Sequence, residues 1–170
     1  SGGTATFLGI DLNDGRGNAA AYTLTGGRLN LGANGITTQG SKSVNLGGGT
    51  VGAFANWSSS QNMALTGTGG NVSFDTLDSV DGTTARAITL TGVLSGTGGL
   101  TKKGVGSLAL SATNTFNGTA QVEGGTLYLN AGAAASATVK SVAGGSAQPG
   151  TISTAGTANA STLQLDGGAA

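Results

Sequence analysis

The sequence predicts an all-β protein and, within that class, a right-handed parallel β-helix, a solenoid of about 20 to 30 residues per coil. Three observations predict it. Short runs that alternate apolar with small or polar residues recur along the chain, glycine pairs separate these runs, and the pairs recur at similar intervals. Alternation over about four residues is typical of a short strand with one buried face.

The alternating runs identify the predicted core. In SLAL at 107–110 and TLYL at 126–129, every second residue is a leucine. Successive side chains of a strand point to opposite faces, so the leucines share one face and would pack inward. The residues that we predict to form the core of this part of the chain are Leu108, Leu110, Phe116, Val122, Leu127 and Leu129.

The glycine pairs set the period. The second glycines of successive pairs are Gly27, Gly49, Gly70, Gly99 and Gly125. These glycines lie about 20 to 30 residues apart. Intervals of this length favour a solenoid, in which each coil buries its apolar face by stacking on its neighbours. Glycine suits the corners, where φ is positive or backbones crowd together. The alternative is an antiparallel sandwich or barrel, which would need hairpin turns between neighbouring strands.

Composition excludes several classes of protein. Among 170 residues there are 34 glycines, no cysteine and no histidine, and seven basic residues balance seven acidic ones. Without cysteine or histidine, thiolate metal sites, most zinc sites and His-based catalytic triads are excluded. No basic patch is present to bind nucleic acid, and no apolar run is long enough to span a membrane. We therefore predict a protein that is not an enzyme and uses no cofactor.

Acidic residues recur in the stretch FDTLDSVDG. Asp75, Asp78 and Asp81 are spaced by three residues, and clustered oxygens are the ligands that calcium prefers. Residues spaced by three on a strand point to opposite faces, however. The three aspartates are thus only weak calcium candidates, and the favoured interpretation is a polar loop.

Trp57 is the only tryptophan in the chain. An exposed tryptophan can stack on a sugar, which makes it a candidate glycan contact. The favoured interpretation is that it fills a gap in a core of small residues. A carbohydrate-active enzyme would need paired carboxylates at a defined separation, and the seven acids do not form such pairs.

Residues 96–132 closely resemble the passenger-associated β-strand repeat of bacterial autotransporters. Four elements of that repeat follow one another in order: GLTK at 99–102, GVGSLAL at 104–110, NTFNGT at 114–119 and GGTLYL at 124–129. The departures are modest. Ala120 stands where a β-branched residue is common, and a second lysine, Lys103, follows the first.

The resemblance implies a secreted bacterial β-helix, exported across the outer membrane to the cell surface or the extracellular space. The resemblance also implies that the repeat assists folding and secretion and has no catalytic residues. We expect residues 1–170 to be a single β-helical segment of a longer chain, with the autotransporter-associated repeat at 96–132. Its expected function is that of a structural or adhesive stalk within an adhesin, whose partner would be a host surface or a polysaccharide.

Two other functions stay open from the sequence. A subunit of a self-assembling extracellular filament or matrix fibre would associate end to end, because the end of a solenoid offers unpaired strand edges. A glycan-binding or carbohydrate-active β-helix is the weaker alternative. Neither nucleic acid nor a membrane span enters any of these interpretations.

Overall fold

A computed structural model describes residues 2–13, 20–38, 42–130, 138–142, 151–155 and 162–166 of the chain. These residues form seventeen strands and no helix. In chain order the strands are β1 Thr4–Asp11, β2 Ala20–Leu24, β3 Arg28–Thr37, β4 Lys42–Leu46, β5 Thr50–Ala53, β6 Trp57–Ser59, β7 Met63–Leu65, β8 Val72–Asp78, β9 Ala87–Leu90, β10 Leu94–Ser95, β11 Leu100–Lys103, β12 Ser107–Leu110, β13 Ala120–Val122, β14 Thr126–Asn130, β15 Thr138–Val142, β16 Thr151–Ala155 and β17 Thr162–Asp166.

The strands build three parallel sheets. Sheet A has the order β1-β3-β5-β8-β11-β13-β15-β17, sheet B has β2-β4-β7-β10, and sheet C has β6-β9-β12-β14-β16. In the middle of the chain each coil visits sheet B, then A, then C, as β4, β5 and β6 do. Every pairing between these strands is parallel. The predicted all-β solenoid is confirmed, and an antiparallel sandwich or barrel is excluded.

Strand register gives the length of each coil directly, as the sequence interval between residues that lie beside each other. On sheet A, Arg28 lies beside Thr50 of the next coil. The longest interval on this sheet runs from Val72 to Leu100, and the shortest runs from Ala120 to Val139. The coils therefore have the predicted length of about 20 to 30 residues, which is typical of solenoid repeats.

Glycine is required at the corner between sheets B and A. Gly27 and Gly49 occupy equivalent places in successive coils, and both have a φ of 75°. The amide of Thr50 donates to the carbonyl of Gly27 over 2.8 Å, and a Cβ on Gly49 would lie 2.8 Å from that same oxygen. Gly125 lies at a different corner, just before β14 of sheet C. The interval from Gly99 to Gly125 therefore does not measure a coil, although the sequence pattern suggested that it did.

Alternating residues of the strands stack into columns inside the solenoid. In sheet A, Leu29, Val51, Phe74, Lys102 and Val122 lie beside one another in successive coils and are all buried. Each fully buried apolar side chain in such a column contributes about 1.5–3 kcal/mol. The six core residues named from the sequence are buried, and no more than 1% of each is exposed: Leu108, Leu110, Phe116, Val122, Leu127 and Leu129.

Candidate functional site

A solenoid offers its outward faces to partners, and the sheet A face is defined here by the outward side chains of Arg28, Asn30, Asp75, Lys103 and Glu123. At one end of this face Arg28 Nη1 lies 2.9 Å from Asp75 Oδ2, and Arg28 Nε donates to Asn30 Oδ1 over 2.7 Å. The arginine crosses the intervening coil over Gly52, where a Cβ would lie 2.7 Å from Arg28 Nη2. The lack of a side chain at Gly52 thus allows the ion pair to form.

The same face continues with a second ion pair. Lys103 Nζ lies 3.4 Å from Glu123 Oε2, and Gln121 Nε2 donates to Glu123 Oε1 over 2.8 Å. Positive and negative groups therefore alternate along the solenoid axis and bind one another. Each exposed pair stabilises the fold by about 0–1 kcal/mol. The charged side chains of the sheet A face are consequently already engaged.

The sheet C face, defined by the outward side chains of Ser58, Thr89, Ser107, Thr126 and Tyr128, is different. The five strands of sheet C contain no Asp, Glu, Lys or Arg. The hydroxyl groups of its five named residues make no hydrogen bond with any part of the chain that the structure describes. Tyr128 is 43% exposed and lies beside the small residue Ala109 of the neighbouring strand.

A shallow groove of about 300 Å³ crosses one side of this face, lined by residues that include Asn56, Arg86, Val105, Ser107 and Thr126. The carbonyl oxygen of the Asn56 side chain accepts the amide of Ala87 over 2.9 Å. Arg86 at the rim is neutralised, because its Nε donates to Asp78 Oδ2 over 2.7 Å. The groove therefore combines hydroxyl groups, an amide and an exposed apolar side chain with no unpaired charge among its described lining residues.

The structure gives each of the three calcium candidates a different partner. Asp75 pairs with Arg28, whereas Asp78 Oδ1 accepts the amide of Val80 over 2.7 Å. Asp81 Oδ1 accepts the amides of Thr83 and Thr84, each over 2.8 Å. Hydrogen bonds lower the pKa of Asp78, chiefly the one from the Val80 amide, and they lower the pKa of Asp81, chiefly the one from the Thr84 hydroxyl.

These carboxylates therefore organise a loop rather than converging on one point. Residues 79–86 connect β8 to β9, and the Asp78 and Asp81 oxygens bind amides within that loop. Within the described ranges, no group of three or more His, Cys, Asp or Glu side chains is placed to hold a metal ion. Likewise, no helix among the described residues is long and apolar enough to cross a membrane.

Trp57 belongs to the core cluster and is only 4% exposed. Gly35, with a φ of 58°, makes room for it, because a Cβ there would lie 3.1 Å from the Trp57 ring atom Cε3. The indole nitrogen is buried without a hydrogen-bond partner in the described part of the chain. Trp57 accordingly presents almost no surface on which a sugar could stack.

Sequence reasoning missed the most unusual residue of the repeat, Lys102. Its side chain points inward between Phe74 and Val122 of the neighbouring coils and is fully buried. The ammonium donates to the carbonyls of Lys103, Gly104 and Gly124 over 2.8, 2.9 and 2.9 Å. An ammonium has three N–H donors, so these carbonyls satisfy all of them.

Lys102 joins two coils where the chain turns from sheet A towards sheet C. Gly104 belongs to its own coil and Gly124 to the next one, so one ammonium binds both corners. Gly125 leaves space for it, because a Cβ there would lie 2.8 Å from Lys102 Nζ. Burial lowers the pKa of Lys102 to about 8, while the nearby Asp75 carboxylate acts in the opposite direction. The alternation Leu100-Thr101-Lys102 already placed Lys102 on the same face as Leu100, and that signal could have identified it.

A second polar contact of the repeat lies against β10, the last strand of sheet B. Asn114 is buried, and its side-chain oxygen accepts the amide of Leu94 from the preceding coil over 2.7 Å. The amides of Thr115 and Asn117 then donate to the carbonyls of Leu94 and Gly96 over 2.8 and 2.9 Å. The NTF turn therefore continues the stacking of sheet B without forming a strand, and it directs Phe116 into the core. Residues 131 and 132 at the end of the repeat lie outside the described residues.

One curated protein is similar to part of this chain. Over 60 residues, which are 35% of this chain, the sequence is 45% identical to the Adhesin BmaC autotransporter of Brucella suis biovar 1 (strain 1330). The chain spans 2% of the length of that protein. No protein-family model matches the chain, and no solved structure matches it. The predicted resemblance to an autotransporter passenger is confirmed by this similarity together with the parallel solenoid.

Proposed function

We propose that this chain is a structural and adhesive segment of a secreted bacterial cell-surface protein, comparable to the stalk of an autotransporter passenger. The observation that carries the proposal is the 45% identity over 60 residues to a protein named as an autotransporter adhesin. The parallel solenoid supports it, because stacked coils space and display a surface without needing reactive groups. In this proposal the chain has no catalytic activity and is exported across the outer membrane.

Residues 96–132 form the autotransporter-associated repeat of this proposal, within a single β-helical segment that spans residues 1–170. The contacts of Lys102 and Asn114 support a role of the repeat in folding, because each links two successive coils through buried hydrogen bonds. Stacking of one coil on the next is the step by which a solenoid propagates its structure. A repeat that fixes this step would help the passenger to fold after export.

Attachment to surfaces tests the proposal. Beads coated with the folded chain would be compared with beads coated with the chain after Phe116→Asp, which places a charge in the core. The panel comprises cultured epithelial cells, extracellular-matrix proteins and immobilised polysaccharides. We expect the folded chain to attach to at least one surface several times more strongly than the variant. Equal attachment of both coatings to every surface would contradict an adhesive function.

Self-association end to end is a second proposal. It is favoured by the parallel solenoid, in which each coil pairs with its neighbours along one axis. Unpaired strand edges can pair with further strands. Electron microscopy of the native material separates the two proposals, because continuous fibres would favour a filament subunit and separate rods would favour a stalk.

A further inference from the structure

We propose that the sheet C face binds a neutral polysaccharide, with Tyr128 as the stacking platform and Asn56, Ser107 and Thr126 as the hydrogen-bonding groups. The inference rests on the adhesive function proposed above and names the class of ligand and the face that contacts it. It also replaces Trp57, which is buried, as the aromatic residue of a glycan contact.

The sheet C face combines available hydrogen-bonding groups with strands that contain no charged residue. On the sheet A face the charged side chains pair with one another, so a ligand would have to break the Arg28–Asp75 or Lys103–Glu123 pair to use them. On the sheet C face the hydroxyls of Ser107 and Thr126 bind no other described residue. Binding to such groups carries no cost of breaking protein contacts, because they exchange only water for ligand.

The arrangement of these groups suits an extended chain of sugars. Ser107 and Thr126 lie beside each other on adjacent strands, about 4.8 Å apart along the solenoid axis. Tyr128 follows Thr126 by two residues and therefore shares its face, about 7 Å further along the strand. Towards the preceding coils the neighbours of the tyrosine are small, since Ala109 and Thr89 occupy the equivalent positions there. Two adjacent hydroxyls beside one aromatic ring provide both polar and apolar contacts for a sugar.

Charge selects a neutral ligand. Sheet C has no charged residue in its strands, and the guanidinium at the rim of its groove, Arg86, is paired with Asp78. An acidic polysaccharide would find no free cation among the described lining residues, and a cationic one would find no free carboxylate. Neutral sugars need only hydrogen bonds and ring contacts, which are the interactions that this face offers.

Retention on insoluble polysaccharide tests the proposal directly. The probes are microcrystalline cellulose and cross-linked dextran as neutral polymers, with heparin-agarose as the acidic comparison. We expect the chain to bind a neutral polymer and Tyr128→Ala to weaken that binding roughly fivefold through the lost ring contact. Tyr128→Phe should keep most of the affinity, because it keeps the ring. Ser107→Ala should weaken binding about threefold through the lost hydrogen bond.

Ser73→Ala is the matched control, because Ser73 is a half-buried outward serine of sheet A. It should bind like the unmodified chain. The proposal is overturned if Tyr128→Ala and Ser73→Ala bind equally well, if heparin is the preferred polymer, or if no neutral polymer retains the chain. Attachment to cells or matrix proteins without retention on any polysaccharide would overturn it while leaving the adhesive function standing, with a protein as the partner.

Discussion

Sheets A and C form two sides of the same solenoid, yet their strands differ in their content of charged residues. Sheet A strands contain eight of the fourteen charged residues of the chain: Asp11, Arg28, Asp75, Asp78, Lys102, Lys103, Lys140 and Asp166. Sheet C strands contain none. On sheet A, charged groups pair along the outside, and Lys102 fastens two coils from the inside. On sheet C, the outward groups are hydroxyls and a tyrosine without partners among the described residues.

If sheet C binds a ligand as proposed, one repeating fold separates cohesion from recognition. Groups that bind each other stabilise the coil stack but have little capacity left for a ligand. Groups that bind only water add little to stability and are ready to bind a partner. Substitutions on sheet A should therefore change mainly the free energy of unfolding, whereas substitutions on sheet C should change mainly binding.

Two adjacent lysines of β11 provide the largest expected effect. Lys102→Ala removes a fully buried side chain and leaves three carbonyls without their donor, so we expect it to lower the free energy of unfolding by about 3 kcal/mol. Lys103→Ala removes only a half-exposed ion pair with Glu123 and should cost less than about 1 kcal/mol. Urea denaturation of both variants measures the difference.

Lys102→Met is the matched variant for the hydrogen bonds, because it keeps most of the volume and loses the donors. Its loss of stability should lie between those of the two alanine variants. If Lys102→Ala proved no less stable than Lys103→Ala, the conclusion that the buried Lys102 ammonium holds two successive coils together would be wrong.

The pH dependence of stability gives the next largest effect. Lys102 has a native pKa of about 8, below the 10.5 of an ordinary lysine. Between pH 8 and 10 the native state has released this proton and the unfolded state still holds it. The free energy of unfolding attributable to Lys102 should therefore rise with pH, by about 2 kcal/mol at pH 10.

Lys102→Met supplies the control for this rise, since other groups titrate identically in both proteins. Tyr22 sets the upper end of the useful pH range. Burial raises its pKa above 10.0, so its contribution to the free energy of unfolding falls at still higher pH. Parallel stability profiles of the unmodified chain and Lys102→Met between pH 7 and 10 would refute the buried ammonium.

Double-mutant cycles provide the smallest effect and compare the two faces directly. Arg28→Ala combined with Asp75→Ala should show a coupling energy of about 1 kcal/mol, because their charged groups lie 2.9 Å apart. Ser107→Ala combined with Thr126→Ala should show a smaller coupling energy, because the two neighbouring hydroxyls carry no charge and make no hydrogen bond with each other. Equal coupling on both faces, measured by urea denaturation, would remove the distinction between them.

Much of the fold followed from local patterns. The SLAL and TLYL runs alternate strictly, and Gly27 and Gly49 lie at the same corner one coil apart, so strand, face and approximate period were readable from the sequence. The period failed at Gly125 because a solenoid coil has several corners and each of them can hold glycine. Sequence spacing alone does not say which corner a glycine occupies.

The candidate site was harder to predict because it depends on which residues of different coils meet. Arg28 and Asp75 are 47 residues apart, and their contact depends on the absence of a side chain at Gly52. Lys102 resembled a surface residue because lysine is rarely buried, and the carbonyls that bind it belong to two coils. Trp57 was the aromatic candidate for a glycan contact, but the structure buries this tryptophan and exposes Tyr128 instead.

Blocking one face at a time tests the central claim most directly. The chain contains no cysteine, so Ser107→Cys on sheet C and Ser73→Cys on sheet A can each be modified at one site with a bulky maleimide-linked polymer. Bead attachment to epithelial cells or a neutral polysaccharide is then measured for both. The account predicts that the polymer at position 107 abolishes attachment and that the polymer at position 73 leaves it nearly unchanged. Loss of attachment only with the polymer at position 73, or equally with both, would contradict it.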